Sequence, residues 1–345
     1  MNLPLPGSTD DRAAGVLLGS ACGDALGVPY EFGPVLAADH VPRMVGGGLG
    51  PYEPGEYSDD TQMAVCIALT LRDHADPLSA EALCRTADAF LDWADNGASD
   101  IGNQTRAVMR ESGHAFRTPE VAEVMERVSA QRFDDGVPSA GNGSLMRTGP
   151  LALAYLDDPQ GLAVAADRYS RLTHADPLAS EACVLWCEGV RHAVVHGDTA
   201  GVRGGLRLLP EDRRGQWESW LDEAEARPPH FFHNNGFVVS ALQAAWSAVV
   251  REPDGFVPAV QAAVRAGNDT DTVAAIAGAL LGARWGAGAI PGEYLEAVHG
   301  WPGYRAEGLA ELALLAVSGP DGRRSRHRAA GDDGPDRLGP PPAGR

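Results

Sequence analysis

Two short runs of oxygen-bearing side chains hold most of the chemistry in this 345-residue chain: Ser58-Asp59-Asp60-Thr61 and, about two hundred residues on, Asn268-Asp269-Thr270-Asp271-Thr272. Adjacent carboxylates repel, so crowding them is costly unless a proton or a cation relieves the repulsion. Ligands that are all oxygen suit a hard divalent ion, Mg²⁺ or Mn²⁺, better than zinc or copper. Each run also stands where an Ala-rich apolar helix begins, and Asp, Ser and Thr cap helices well. Capping accounts for either run alone. If the two helix starts meet in space, the pair offers five or six oxygens, enough for two ions.

The elements that would position these runs read as helices almost throughout. From Thr272 to Arg284, Val273, Ile276, Ala277, Leu280 and Leu281 share one face. Ala274, Gly278 and Gly282 fall four apart and form a small-residue stripe that would admit a neighbouring helix closely. The run from Thr61 to Leu71 alternates as well as it spirals, but its length and its Ala and Cys residues favour a buried helix. Further helices are expected over 10–27, 79–95, 102–113, 144–156, 160–172, 178–195, 236–250 and 254–266. Strand signals are scarce, so the expected fold is all-α, a single compact orthogonal helical bundle spanning 7–317. His74-Ala-Asp-Pro and His174-Ala-Asp-Pro read as two helix starts, with Asp as cap and Pro in the first turn. Their flanks differ, which argues against an internal duplication. The stretch 197–232, rich in Gly, Arg, Pro and acids, reads as a loop or insertion. The first six or so residues should fray, and 318–345, rich in Arg, Gly and Pro, should be a disordered tail.

Composition excludes several classes. A net charge of −19 argues against binding a nucleic-acid backbone. All 28 basic residues are Arg, which removes Schiff-base lysines and the lysine of a phosphate-binding P-loop. No apolar run reaches spanning length and the start lacks a signal peptide's regions, so a protein away from membranes is expected, cytoplasmic by its thiols and a monomer. The five cysteines, Cys22, Cys66, Cys84, Cys183 and Cys187, form no C-x-x-C and read as reduced core thiols.

Four more segments stand out: Gly19-Ser-Ala-Cys-Gly-Asp24-Ala-Leu-Gly27-Val-Pro-Tyr-Glu31, Asp100-Ile-Gly102-Asn-Gln-Thr, Gly141-Asn-Gly-Ser-Leu-Met-Arg147 and Thr173-His174. The Gly-Asn-Gly-Ser run is able to expose several backbone N–H groups before a helix, an anion cradle, or to form an ordinary Gly-rich turn. In their order and spacing, Gly-Asp-Ala-Leu-Gly, Ser-Asp-Asp-Thr-Gln-Met, Asn-Gly-Ser-Leu-Met-Arg and Asp-Thr-Asp-Thr resemble the ADP-ribosylglycohydrolase family over roughly residues 10–315.

That resemblance implies an all-helical fold around a central cleft with two divalent cations, Mg²⁺ or Mn²⁺. It implies Ser58, Asp59, Asp60, Asp269, Asp271 and Thr272 as ligands, although the family's motifs usually begin with Thr and Gly where Ser58 and Asn268 stand. Glu31 matches an acidic residue near metal and substrate, and Asp59, Asp60 and Glu31 are the candidate catalytic carboxylates. Asp100, with the adjoining Gly102, matches a position facing an arginine guanidinium, and carboxylate and guanidinium pair in a bidentate fork. Asn142, Gly143, Ser144 and Met146 match the loop that holds pyrophosphate and ribose, and His174 a histidine lining the ADP-ribose pocket. The implied activity is hydrolysis of the N-glycosidic bond between ADP-ribose and an arginine side chain of a modified protein. Its rivals are another acceptor (serine, a nucleobase or O-acetyl-ADP-ribose), a non-catalytic ADP-ribose-binding relative and, outside the family, a two-metal phosphohydrolase.

Overall fold

Residues 3–37 and 39–322 are described in the structure, a computed structural model. In chain order the helices are α1 Thr9–Gly27, α2 Asp59–Asp73, α3 Ala80–Asn96, α4 Asn103–Ser112, α5 Val121–Asp134, α6 Leu145–Thr148, α7 Pro159–Arg171 and α8 Pro177–His196. They continue as α9 Gly201–Gly204, α10 Glu211–Ala226, α11 Val238–Arg251, α12 Phe256–Val264, α13 Thr270–Trp285, α14 Gly292–Ala297 and α15 Ala306–Ser318. Among the described residues the only sheet is an antiparallel pair, β1 His299–Gly300 with β2 Tyr304–Arg305. The all-α expectation holds.

Helices α1 and α13 form the centre, and glycine decides how close they lie. They run antiparallel, with Gly15, Gly19 and Gly23 set against the carbonyl oxygens of Gly282, Gly278 and Ala274, and Gly27 against the backbone of Asp271. A Cβ at any of these α1 positions would collide with backbone that cannot turn aside. The small-residue stripe read from α13 thus has a matching stripe on α1. Both helices are buried nearly all round, which is why neither shows a polar face. The seam brings the C-terminal end of α1 beside the N-terminal end of α13. Helix α2, apolar from Met63 to Ala68, is buried through that stretch and starts at the same place.

Three readings need correction. The stretch 197–232 is largely helical, comprising α9, 3-10 turns at Gly205–Leu208 and Pro229–Phe231, and α10. Helix α10 is highly charged and buries only Trp217, Leu221 and Ala224, a stripe too thin to stand out against its surroundings. The helix expected over 144–156 is one α-turn, α6, followed by a 3-10 segment Gly149–Ala154, because Pro150 cannot donate the next helical hydrogen bond. At His74-Ala-Asp-Pro, Asp76 accepts from Leu78 N in a turn, and Ser79 caps α3 instead. At the second copy Asp176 does cap α8. Helices α5, α14 and α15 were not anticipated. Ser318 ends α15 and Pro320–Gly322 form a 3-10 turn; the rest of the expected tail lies outside the described residues.

Candidate active site

Asp24, in the last turn of α1, is fully buried and holds the start of α2 with both oxygens. Its Oδ1 accepts from Ser58 N (2.8 Å) and Ser58 Oγ (2.7 Å), and its Oδ2 from Thr61 N (3.0 Å) and Thr61 Oγ1 (2.6 Å). An acid from another helix therefore does the capping. Neither Ser58 at the start of α2 nor Asp269 at the start of α13 caps its own helix with its side chain. Capping alone does not account for the two acidic runs.

Their side chains converge as the sequence reading required. Ser58 Oγ lies 3.1 Å from Asp60 Oδ2 and 3.3 Å from Asp271 Oδ2. Carboxylate oxygens of Asp24, Asp60 and Asp271 lie within 4.8 Å of one another, and so do those of Glu31, Asp269 and Asp271. Asp271 belongs to both groups, which is the arrangement expected of a residue shared between two neighbouring cation positions. Asp60 Oδ1 is buried and makes no hydrogen bond. An orphaned buried carboxylate oxygen amid all-oxygen donors fits a hard divalent ion. Thr272 borders the same space, its N–H held by Asp271 Oδ1 at 2.9 Å.

The electrostatics agree. Burial and mutual repulsion raise these acids: Asp24 to about 6 against the pull of its hydrogen bonds, and Glu31 to about 8 through burial, then Asp269 and Asp100. Asp59, Asp60 and Asp271 lie well above the usual carboxylate range, chiefly through burial and then neighbouring acids. Without ions, the cluster keeps protons that a cation would displace. The N-terminal ends of α2 and α13 offset part of the negative charge.

Asp269 is fixed by asparagines. Asn142 Nδ2 donates to its Oδ2 (2.8 Å) and to Asn235 O (2.9 Å), while Asp269 N donates to Asn235 Oδ1 (3.2 Å). Asn235 Nδ2 completes the knot on Gly267 O (2.9 Å). Asn268 has φ 57°, a left-handed conformation that Asn tolerates. Its carbonyl accepts from Phe32 N (2.7 Å), which ties the Glu31 segment to α13.

Above this floor lies a cleft of about 390 Å³. Glu31, Asp59, Asp269 and Thr272 line its acidic end, Asp100 and Gly102 another wall, and Gly141, Asn142, Gly143, Met146 and His174 the remainder. Ser58, Asp60 and Asp271 are buried beneath. Ser144 is placed differently from the expectation: its hydroxyl is buried against Ser170 Oγ (2.8 Å) and Cys183 Sγ (3.5 Å), behind the cleft wall. His174 is buried and neutral, pushed down to about 3 by burial and by Arg147. The Tyr52 hydroxyl is buried without a hydrogen-bond partner, and burial and Asp59 keep it protonated. Sequence reasoning left Asp24, Asn235, Arg147 and Thr173 without roles. Asp24 had a signal in Gly-Asp-Ala-Leu-Gly, and Asn235 only an Asn-Asn-Gly turn pattern. A larger depression of about 950 Å³ at Asp198, Arg203 and Glu225 has no such convergence, and Arg203 is tied to Asp222 (2.6 Å) and Glu225 (2.8 Å).

The chain has relatives over most of its length. It is 30% identical over 293 residues to the ADP-ribosyl-[dinitrogen reductase] glycohydrolase of Rhodospirillum rubrum, covering 84% of this chain and 90% of that protein. It is 32% identical over 292 residues to the ADP-ribosylarginine hydrolase Tri1 of Pseudomonas putida, covering 84% and 74% respectively. The human ADP-ribosylhydrolase ARH3 is 25% identical over 353 residues, covering 89% of this chain and 92% of that one. Among solved structures, an ADP-ribosylglycohydrolase-related protein complex superposes with a TM-score of 0.70 at 31% identity, covering 92% of this chain and 99% of that chain. The family model for ADP-ribosylglycohydrolases matches residues 5–323. With its acids gathered at a cleft between two helix starts, this chain belongs to the ADP-ribosylglycohydrolase family, a family of hydrolases acting on ADP-ribosyl linkages.

Proposed function

We propose that the chain hydrolyses the N-glycosidic bond between ADP-ribose and an arginine side chain, with two divalent cations, Mg²⁺ or Mn²⁺, at the acidic floor. The observation that carries this reading is the pair of acid groups sharing Asp271. Ser58, Asp60, Asp271, Asp269 and Thr272, with Asp59 at the rim, would hold the ions. Such ions, when bound, orient the hydroxyls of the distal ribose and acidify water.

The chain's residues do the rest. The turn at Asn142–Gly143 and His174 hold the ADP-ribosyl group. Asp100, half-exposed at the cleft wall, pairs with the acceptor's guanidinium. The water oxygen bonds to the anomeric carbon as the bond to the guanidine nitrogen breaks. Asp59, facing the cleft, takes a proton from that water, and Glu31 is the second carboxylate placed to do so. Surrounding carboxylates stabilise the positive charge that develops on the sugar. The departing guanidine takes up a proton from solvent at the end where Asp100 stands.

The test is release of ADP-ribose from an arginine-modified protein with Mg²⁺ or Mn²⁺, against chelator and against serine-linked substrate. Full activity in excess chelator, or undiminished activity of an Asp59→Asn/Asp271→Asn double variant, would sink the metal mechanism. A second reading, hydrolysis at serine, a nucleobase or O-acetyl-ADP-ribose, draws support from the exposure of Asp100, which leaves the acceptor side open. Equal rates on serine and arginine linkages, unchanged by Asp100→Ala, would favour it.

A further inference from the structure

Behind the cleft sits a fully buried arginine that forms no ion pair with a carboxylate among the described residues. Arg147 is 0% exposed, its guanidinium lies 4.6 Å from the Phe90 ring centroid, and its Nη1 faces Met63 Sδ at 3.6 Å. Its Nε makes no hydrogen bond. Its one hydrogen bond to oxygen among the described residues runs from Nη2 to Thr173 Oγ1, at 2.7 Å. A buried charge without a paired counter-ion is expensive to keep.

Thr173 Oγ1 also lies 2.7 Å from His174 Nδ1. Guanidinium only donates, so Thr173 Oγ1 accepts from Arg147 and its own single proton is left to place. Directed at Nδ1, that proton gives both the Thr173 hydroxyl and the ring nitrogen a partner. With a proton on Nδ1 instead, the buried hydroxyl would have no acceptor among its described partners. A neutral ring accepting at Nδ1 carries its proton on Nε2. That nitrogen faces the turn lining the cleft: a Cβ on Gly141 or Gly143 would stand 3.4 Å or 3.3 Å from it.

We propose that Arg147 and Thr173 are positioning residues that lock His174 with its proton on Nε2, making the ring a fixed donor to an oxygen of the bound ADP-ribosyl group. The arginine then serves the ligand without touching it. The ring's neutrality follows from the same placement, since a second positive charge would face Arg147 across one hydroxyl. The donor role rests on the proposed function; the tautomer does not.

The experiment uses the full chain labelled with ¹⁵N-histidine, with His174 assigned by its loss in His174→Gln. The ring nitrogens are read by long-range ¹H–¹⁵N correlation near neutral pH, without ligand. Wild type and Thr173→Ser should show Nε2 protonated and Nδ1 bare, while Thr173→Val and Arg147→Met should lose that single tautomer. ADP-ribose titration should weaken roughly tenfold in both disrupting variants, the loss of one aligned hydrogen bond, with recovery in Thr173→Ser. A proton on Nδ1 in the wild type, or an unchanged tautomer in both disrupting variants, would overturn the relay. A lost tautomer with unchanged ADP-ribose affinity would overturn the donor role. Failure of the wild type to bind ADP-ribose, with the expected tautomer, would sink the proposed function and the donor role while supporting the relay.

Discussion

The site has two walls of opposite character. One is the seam of α1 and α13, where glycine meets backbone carbonyl at three successive turns and the ends carry Asp24 and Asp271. The other is the described part of segment 31–57, which carries Glu31 and has no α-helix. In it Phe32, Val35, Val41, Val45 and Leu49 are each more than half exposed. The seam fixes the deep carboxylates through backbone geometry that admits no additional atom. The segment holds Glu31 through a few bonds, among them Phe32 N to Asn268 O and the Tyr30 hydroxyl accepting from Arg43 N. The two walls divide the work: fixed spacing where ions would sit under the proposed function, and an irregular segment without α-helix at the mouth of the cleft.

The comparison breaks most directly at the seam. Gly278→Leu should cost more than about 4 kcal/mol, or prevent folding, because the clash is with the Gly19 carbonyl. Thermal unfolding reads this, and a fall of only a few degrees would show that the helices can separate. Next in size, Asp271→Asn should lower divalent-ion affinity more than about a hundredfold in titration calorimetry, since it removes the carboxylate common to both groups. Asp24→Asn should be milder, about 1–3 kcal/mol in stability, since it leaves shape intact while weakening the bonds to Ser58 and Thr61.

The pH dependence sharpens the contrast. Raised carboxyl pKa values mean that the folded, ion-free protein binds more protons than the unfolded chain, so stability falls as pH rises. For Asp24 that window closes near 6, and for Glu31 near 8. Ions bound as proposed would remove the penalty, so the gap in melting temperature between ion-loaded and chelated protein should widen from about pH 5 to pH 8. A constant gap would mean the acids are ionised without help. The smallest effect belongs to the segment: Phe32→Ser should change stability by under about 0.5 kcal/mol. It should raise KM for a modified protein more than for a small ADP-ribosyl substrate.

Much of this was legible in the sequence because chemistry and periodicity coincided. The two acidic runs stood out by type, and the helices that follow them are apolar enough to announce themselves. The stripe at Ala274, Gly278 and Gly282 was visible, but its partner at Gly15, Gly19 and Gly23 was recognisable only once the helices were paired. Long-range hydrogen bonds were invisible for the same reason: nothing local tells that Asp24 caps a helix starting 35 residues later, or that Asn142 holds Asp269. Helix α10 was lost because three buried residues among charges give almost no periodic signal. Ser144 was placed in the cleft by motif, whereas its hydroxyl turned out to serve Ser170 and Cys183 behind it.

The glycine seam has one more consequence. Gly15, Gly19 and Gly23 each sit against one carbonyl of α13, so the contact repeats every fourth residue, about 6 Å along the axis. Between those registers a slide would drive Cα atoms over carbonyl oxygens. The two helices therefore work as a notched gauge, and the distance between Asp24 and Asp271 is a discrete quantity. Substitutions away from the seam leave that spacing set by the glycine contacts. Under the proposed function, adjustment to a different cation would have to come from Glu31, which lies outside the seam.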